Sequence, residues 1–336
     1  MNGHELVLGI DIGGTTTSFG FVDGSGRLLE FGVMQTEAEL AAESLVERLH
    51  QRVAGMLGRF SATFTVKGIG IGAPNANHIR GTVENPPNLN WGESVNLVEL
   101  FRRRFDLPVA ITNDANAAAL GEMYYGGARG MRDFIVVTLG TGLGSGIVTD
   151  GELVYGACGF AGELGHTVVV PGGRHCGCGK QGCLETYVSA TGLCRTVFVL
   201  LAERRESSRL RQLSYQKLTA KDVFEAASDG DPIAFAAFEE TGRILGMKLA
   251  DAVAHTAPEA IFLSGGLTAA GDLLLGPTER SMEAFLFPVY RGKVRLSVSE
   301  LGGGTGAVMG AAALVWHELE KGREPSPVAQ TLSRVG

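Results

Sequence analysis

Along this chain, short apolar runs that end in glycine alternate with longer stretches whose apolar residues recur at helical spacing. Leu6-Val7-Leu8-Gly9-Ile10 reads as a buried strand running into Asp11-Ile12-Gly13-Gly14-Thr15-Thr16-Thr17, and Phe19 to Val22 as its partner. Asp23-Gly24 and Ser25-Gly26 then supply turn chemistry before a third strand. The same layout returns at Phe134 to Leu139, with Gly140-Thr141-Gly142-Leu143-Gly144-Ser145-Gly146, the strand Ile147-Val148 and a turn at Asp150-Gly151. Two like units predict two like-folded lobes.

Between them, Glu37 to Phe60 has helical spacing, Val66 to Ala73 reads as a strand ending at Pro74, and Val109 to Thr112 as a strand feeding an alanine-rich helix from Asp114. Helical patterns dominate from Leu184 to Thr256. Strands follow at Ala260 to Leu263, which ends in Ser264-Gly265-Gly266, and at Val294 to Val298, before Gly302-Gly303-Gly304-Thr305-Gly306 and a closing helix. The alternation predicts an α/β protein. The polar, proline-containing stretch from about Lys321 reads as a loosely ordered tail.

Composition narrows the chemistry. The 336 residues allow two domains, and 49 glycines gathered beside apolar runs indicate loops built for close backbone approach rather than low complexity. A net charge of -7 argues against a partner with a phosphate backbone, and Arg102-Arg103-Arg104 reads as the solvated end of a helix. No apolar run approaches the ~20 residues of a membrane span and no signal peptide is legible, so a cytoplasmic location, with neither nucleic acid nor membrane as partner, is the expectation. In a reduced compartment, five cysteines read as metal ligands or small core residues rather than disulfides.

Glycine turns after buried strands present successive N–H groups to one point and let a phosphate approach the chain, while a carboxylate such as Asp11 can hold Mg²⁺ against the transferring group. One such turn is equally a tight hairpin; three together favour phosphate. The P-loop pattern is absent, and Gly302-x-Gly304-x-x-Ala307 leaves too little chain after it for a dinucleotide unit. His166-x9-Cys176-x-Cys178-x4-Cys183 suits a tetrahedral structural zinc site. Glu163 and Glu185 are interleaved with these ligands, where a folded zinc loop could turn both carboxylates toward vicinal hydroxyls, and His166 could use its second nitrogen for substrate. Asn113-Asp114 stands where a strand meets a helix, which suits a helix cap and a catalytic base alike.

These residues resemble the ROK sugar kinases (repressor, open reading frame, kinase) over nearly the whole chain. The likeness is carried by Asp11-Ile12-Gly13-Gly14-Thr15, Asn113-Asp114, Gly140-Thr141-Gly142, Glu163-Leu164-Gly165-His166, the specific Cys176-x-Cys178-Gly-x-x-Gly-Cys183-x-Glu185 element, and Ser264-Gly265-Gly266. The resemblance implies an actin-like ATPase (ribonuclease H-like) fold of two α/β lobes around a central cleft. The small lobe would be residues 1–115 plus about 305–322, the large lobe 116–304 with the zinc loop, and 323–336 a tail. Asp114 would be the base. Asn113, Asp114, Glu163, His166 and Glu185 would hold the sugar, and His166, Cys176, Cys178 and Cys183 a structural Zn²⁺. Asp11, Gly13, Gly14, Thr15, Thr16, Gly140, Thr141, Gly142, Gly265 and Gly266 would bind ATP and Mg²⁺. Many members carry Gly where Asn75 stands and Lys where Thr16 stands. The pattern resembles the glucokinase branch most, which implies phosphorylation of the glucose 6-hydroxyl by a homodimer or homotetramer. The alternatives are an N-acetylmannosamine, N-acetylglucosamine or fructose kinase, or a sugar-sensing regulator. A regulator would place a helix-turn-helix ahead of the first glycine loop, which here stands at residue 11.

Overall fold

An antiparallel hairpin extended on one side by parallel strands occurs twice in the computed structural model, which describes residues 5–60, 63–301 and 303–322. In the first unit, β1 (Glu5–Ile12) pairs antiparallel with β2 (Thr16–Asp23), and β2 with β3 (Leu28–Gln35). After helix α1 (Ala42–Phe60), β4 (Thr65–Gly72) joins β1 in parallel. Three short strands, β5 (Ala76–Asn77), β6 (Thr82–Glu84) and β7 (Ser94–Val95), form a small separate sheet before helix α2 (Leu97–Phe105) and β8 (Val109–Thr112), which joins β4 in parallel. The order is therefore β3-β2-β1-β4-β8. Leu8, Ile10, Phe19, Phe21, Ile69 and Ile71, fully buried, make its core with Leu45 and Leu49 of α1. The helix predicted from Glu37 starts only at Ala42, because Glu37 adopts φ 54° in a turn closed by Leu40 N–H to its carbonyl.

Helix α3 (Asp114–Tyr125) follows β8 and packs on the C-terminal helix Gly303–Glu320, which lies against β1 and β4. Glycines make that approach possible. A Cβ on Gly9 would fall 2.1 Å from the Val308 carbonyl oxygen, one on Gly70 1.8 Å from that of Ala311, and one on Gly310 2.3 Å from that of Ala117. By its packing the first unit runs to Gly130, includes Leu153–Ala161 and resumes at Glu300. Asn77 Nδ2 donates to the Cys158 carbonyl at 2.9 Å and His78 stacks on Tyr155 at 4.3 Å, which ties Leu153–Ala161 to that unit.

In the second unit β9 (Phe134–Leu139) pairs antiparallel with β10 (Leu143–Thr149), whose outer neighbour is β11 (Glu152–Leu153). On the other side, after helices α4 (Ala190–Glu203), α5 (Ala220–Ser228) and α6 (Pro232–Thr256), β12 (Ala260–Ser264) joins β9 in parallel. Helix α7 (Asp272–Phe285) leads to β13 (Arg295–Val298), parallel to β12. The order β11-β10-β9-β12-β13 repeats that of the first sheet, as the duplicated sequence layout predicts. The expected tail 323–336 and Gly302 lie outside the described residues.

Candidate functional site

In the first unit the chemistry gathers at the carboxyl ends of parallel strands, where α/β proteins place ligands. Register puts Asp11 of β1 opposite Gly72 of β4, and Gly72 opposite Thr112 of β8, two residues before Asp114. Asn113 is the helix cap: its Oδ1 accepts the Asn116 N–H at 2.7 Å. Asp114 is thus the first helical residue, with Oδ1 taking the adjacent Ala115 N–H at 2.9 Å. Its side chain is reachable by solvent, yet the surrounding protein withdraws enough water to raise its carboxyl above the usual range, against backbone N–H groups that lower it. Asp11, partly buried, is raised to about 6, mainly by desolvation and then by repulsion from Asp114. Among the described residues no basic side chain forms an ion pair with either. Two neighbouring carboxylates left without a cationic side chain fit a divalent metal held by oxygen.

The first glycine turn is closed by Gly13 N–H to the Thr16 carbonyl, and Thr36 holds it from behind: its hydroxyl donates to the Gly13 carbonyl at 2.7 Å and its N–H to that of Thr15 at 2.8 Å. Thr15 and Thr16 remain exposed. Asn75 adopts φ 52°, and its Nδ2 donates to the Asn85 carbonyl at 2.9 Å. Asparagine tolerates this left-handed conformation better than most side chains, so it suits the turn as a glycine would.

In the second unit the other two glycine turns meet by register, since Ser264 pairs with Thr138. Gly140 N–H closes on the Gly142 carbonyl at 3.0 Å. Gly265, at φ 93°, lies so near β9 that a Cβ would fall 2.5 Å from the Leu139 carbonyl oxygen. Beside Gly266 opens a cavity of about 250 Å³ lined by Lys221 and Phe224 of α5, Phe238 of α6 and Leu267. The sequence gives no hint of this lining, because α5 reaches the turn only through tertiary packing.

The metal cluster is assembled by a tight hairpin. Cys176 N–H bonds the Lys180 carbonyl, Gly179 N–H bonds the Cys176 carbonyl, and Val168 bridges Cys183. Ligand atoms of His166, Cys176, Cys178 and Cys183 all lie within 4.8 Å of one another. Cys178 and Cys183 sulfurs are 3.7 Å apart and His166 Nδ1 is 3.6 Å from Cys176 Sγ. Zinc–sulfur bonds of about 2.3 Å give tetrahedral edges of about 3.8 Å, so the set fits zinc. His166 turns Nδ1 to the sulfurs and leaves Nε2, 4.0 Å from Glu163 Oε2, on the outer side. His175, a weaker candidate ligand, instead approaches Gln181.

Arg174, not singled out in the sequence, anchors this hairpin. It donates to the carbonyls of Thr186 and Gly192 and to Thr196 Oγ1, with its guanidinium 4.3 Å from the Tyr187 ring centroid. Glu185 extends the other way: Oε2 accepts the Leu143 N–H at 3.0 Å, while Oε1 lies 3.7 Å from Cys176 Sγ. The geometry thus brings Glu185 to both the zinc loop and the Gly140–Gly142 turn. Cys158 and Cys194 stand outside the cluster.

The ROK family model matches residues 7–318. The glucokinase of Halalkalibacterium halodurans is 35% identical over 328 residues, covering 94% of this chain and 98% of its own. A ROK glucokinase of Streptomyces griseus, solved with glucose and AMPPNP, is 37% identical, with a TM-score of 0.75 over 92% of this chain and 98% of its own. A ROK transcriptional regulator homologous to the E. coli MLC protein is 28% identical, with a TM-score of 0.83 over 96% of this chain and 80% of its own. Among the described residues no helix is long and apolar enough to cross a membrane.

Proposed function

The chain belongs to the ROK family, and from that premise we infer that it is an ATP-dependent hexose kinase, a glucokinase that phosphorylates the 6-hydroxyl of glucose. The observation that carries the mechanism is Asp114, an accessible carboxylate with a raised proton affinity, beside Asp11 and without a cationic partner side chain among the described residues. Phosphoryl transfer through a loose transition state asks for positioning and charge neutralisation more than covalent help. Asp114 takes the proton of the attacking hydroxyl as the bond to the γ-phosphorus forms and the bridge to ADP breaks. A carboxylate whose proton affinity is raised is a better proton acceptor than an ordinary one.

Asn113, Glu163, His166 Nε2 and Glu185 hold the sugar hydroxyls. Gly13, Gly14, Thr15, Thr16, Gly140, Thr141 and Gly142 offer N–H and hydroxyl donors to the phosphates. The Gly265–Gly266 turn and the cavity beside Gly266, with Phe224 and Phe238, take the adenine base. Mg²⁺ held at Asp11 would neutralise charge on the phosphates. Zn²⁺ held by His166, Cys176, Cys178 and Cys183 would be structural, fixing the loop that carries Glu163 and Glu185. Dependence on ATP and on reduced thiols suits the cytoplasm, and a homodimer or homotetramer is the form in which we expect the enzyme.

The test is ATP consumption with Mg²⁺ across glucose, mannose, fructose, N-acetylglucosamine and N-acetylmannosamine, compared by kcat/KM. A clear preference for glucose is expected. A preference for an N-acetyl sugar reassigns the substrate but keeps the chemistry. No turnover on any of them by zinc-loaded, folded protein overturns the glucokinase reading and leaves a kinase of another sugar or a binding protein.

A further inference from the structure

The segment from Glu185 to Thr191 grips the second glycine turn at three points. Ala190 N–H bonds the Gly140 carbonyl at 2.9 Å, Thr191 Oγ1 the Thr141 carbonyl at 3.0 Å, and Glu185 Oε2 accepts the Leu143 N–H at 3.0 Å. The first two grips come from the start of α4 and are fixed with that helix. The third is a side chain on rotatable bonds. It reaches the turn because Gly142 has no side chain: a Cβ there would stand 2.5 Å from Glu185 Oε2.

We propose that Glu185 is a positioning residue that couples the sugar to the nucleotide, its one carboxylate holding a sugar hydroxyl and the Gly140–Leu143 turn together. This rests on the kinase reading above. Fixing the Glu185 rotamer with a sugar also fixes the acceptor of the Leu143 N–H. The nucleotide then meets a turn whose ordering cost has already been met, which is positive cooperativity carried by order rather than by displacement. Linkage requires the effect to be reciprocal, so bound nucleotide tightens sugar by the same factor.

The experiment measures the glucose Kd of the zinc-loaded full chain calorimetrically, with and without saturating AMPPNP and Mg²⁺. The ratio of the two is the readout, since a merely weakened site lowers both affinities and leaves their ratio in place. For the unsubstituted chain we expect glucose to bind at least about five-fold tighter with the analogue, the lower end of ordinary coupling. Glu185→Gln, which offers one neutral oxygen in place of two charged ones, should bring the ratio close to one. Gly142→Ala should do the same by pushing the carboxylate off Leu143, and should weaken glucose in the absence of nucleotide although Gly142 offers the sugar no side chain. A ratio of one in the unsubstituted chain, or the full ratio retained by either folded, zinc-loaded variant, overturns the proposal. Failure of the kinase reading shows separately, as absence of turnover on every sugar.

Discussion

Asp11 and Asp114 stand at the carboxyl ends of β1 and β8 with one residue of the intervening strand, Gly72, between their rows in the sheet, and charge on Asp114 raises the proton affinity of Asp11. A side chain at Gly72 would crowd Asp11, since even a Cβ would lie 3.6 Å from Asp11 Oδ1 and 3.5 Å from the Ala117 Cβ. The sheet therefore brings two acids together and leaves Asp11 uncrowded.

Two acids so placed need not have one role. Asp114→Asn keeps the shape of the site and the backbone contact to Ala115 while removing the base. We expect kcat to fall by about 10²–10⁴-fold, with the thermal midpoint and bound zinc preserved. A variant that keeps most of its turnover would remove Asp114 from the role of base.

Asp11 should reveal itself through stability. Its folded-state affinity for protons exceeds that of the unfolded chain, 3.8 becoming about 6. Between those values the folded state binds more protons, so the Asp11 contribution to stability is fully present at low pH and is lost as pH rises through about 6. Asp11→Asn should then raise the thermal midpoint at pH 8, by an effect on the order of 1–3 kcal/mol, and change little at pH 4, while lowering turnover at both. Equal midpoints at pH 8 would show that no such cost exists. Activity of the unsubstituted enzyme should climb as pH rises through about 6, where Asp11 ionises.

The reading of Asn113-Asp114 shows where the sequence stops. The dipeptide marks a strand-to-helix junction, and either residue suits a cap. Only the folded backbone assigns the cap to Asn113, whose Oδ1 reaches Asn116, and so leaves Asp114 exposed to solvent. The cysteine cluster was legible because its ligands are close in sequence and one hairpin suffices to bring them together. Arg174, Leu143 and Phe224 were not, because their roles arise where the zinc hairpin meets α4, where Glu185 meets a backbone N–H, and where α5 crosses behind Gly266. The ownership of α3 was likewise a matter of packing, decided where its Ala117 and Gly121 meet Gly310 of the C-terminal helix.

That packing is itself testable. Gly70 leaves no room for a Cβ against the Ala311 carbonyl, which would be 1.8 Å away, and the obstacle is backbone rather than a side chain that can turn aside. Gly70→Ala should therefore cost about 1–3 kcal/mol or more, seen as a lower denaturation midpoint. Gly130→Ala offers the contrasting control in φ rather than space: nothing lies within 4 Å of its Cβ, but φ is 81°. It should cost less than the buried substitution. Equal stability of Gly70→Ala and the unsubstituted chain would mean the C-terminal helix does not sit this close to β4.

The metal cluster yields the last prediction. Three thiols and an imidazole at tetrahedral spacing gain little from one another without a cation, and burial pushes the Cys176 thiol up to about 12. Binding a metal supplies the charge that lets the thiolates form, so metal affinity and folding of the loop rise and fall together. Cys178→Ser, at the exposed ligand of the set, should lower bound zinc measured by elemental analysis, and with it both the thermal midpoint and glucose affinity. Nucleotide affinity should suffer less, because two of the three grips on the Gly140–Leu143 turn come from α4 and do not pass through the zinc hairpin. If zinc is lost and glucose binds as before, the loop stands without its metal, and Glu185 owes its position to Arg174 and the turn at Leu143 instead.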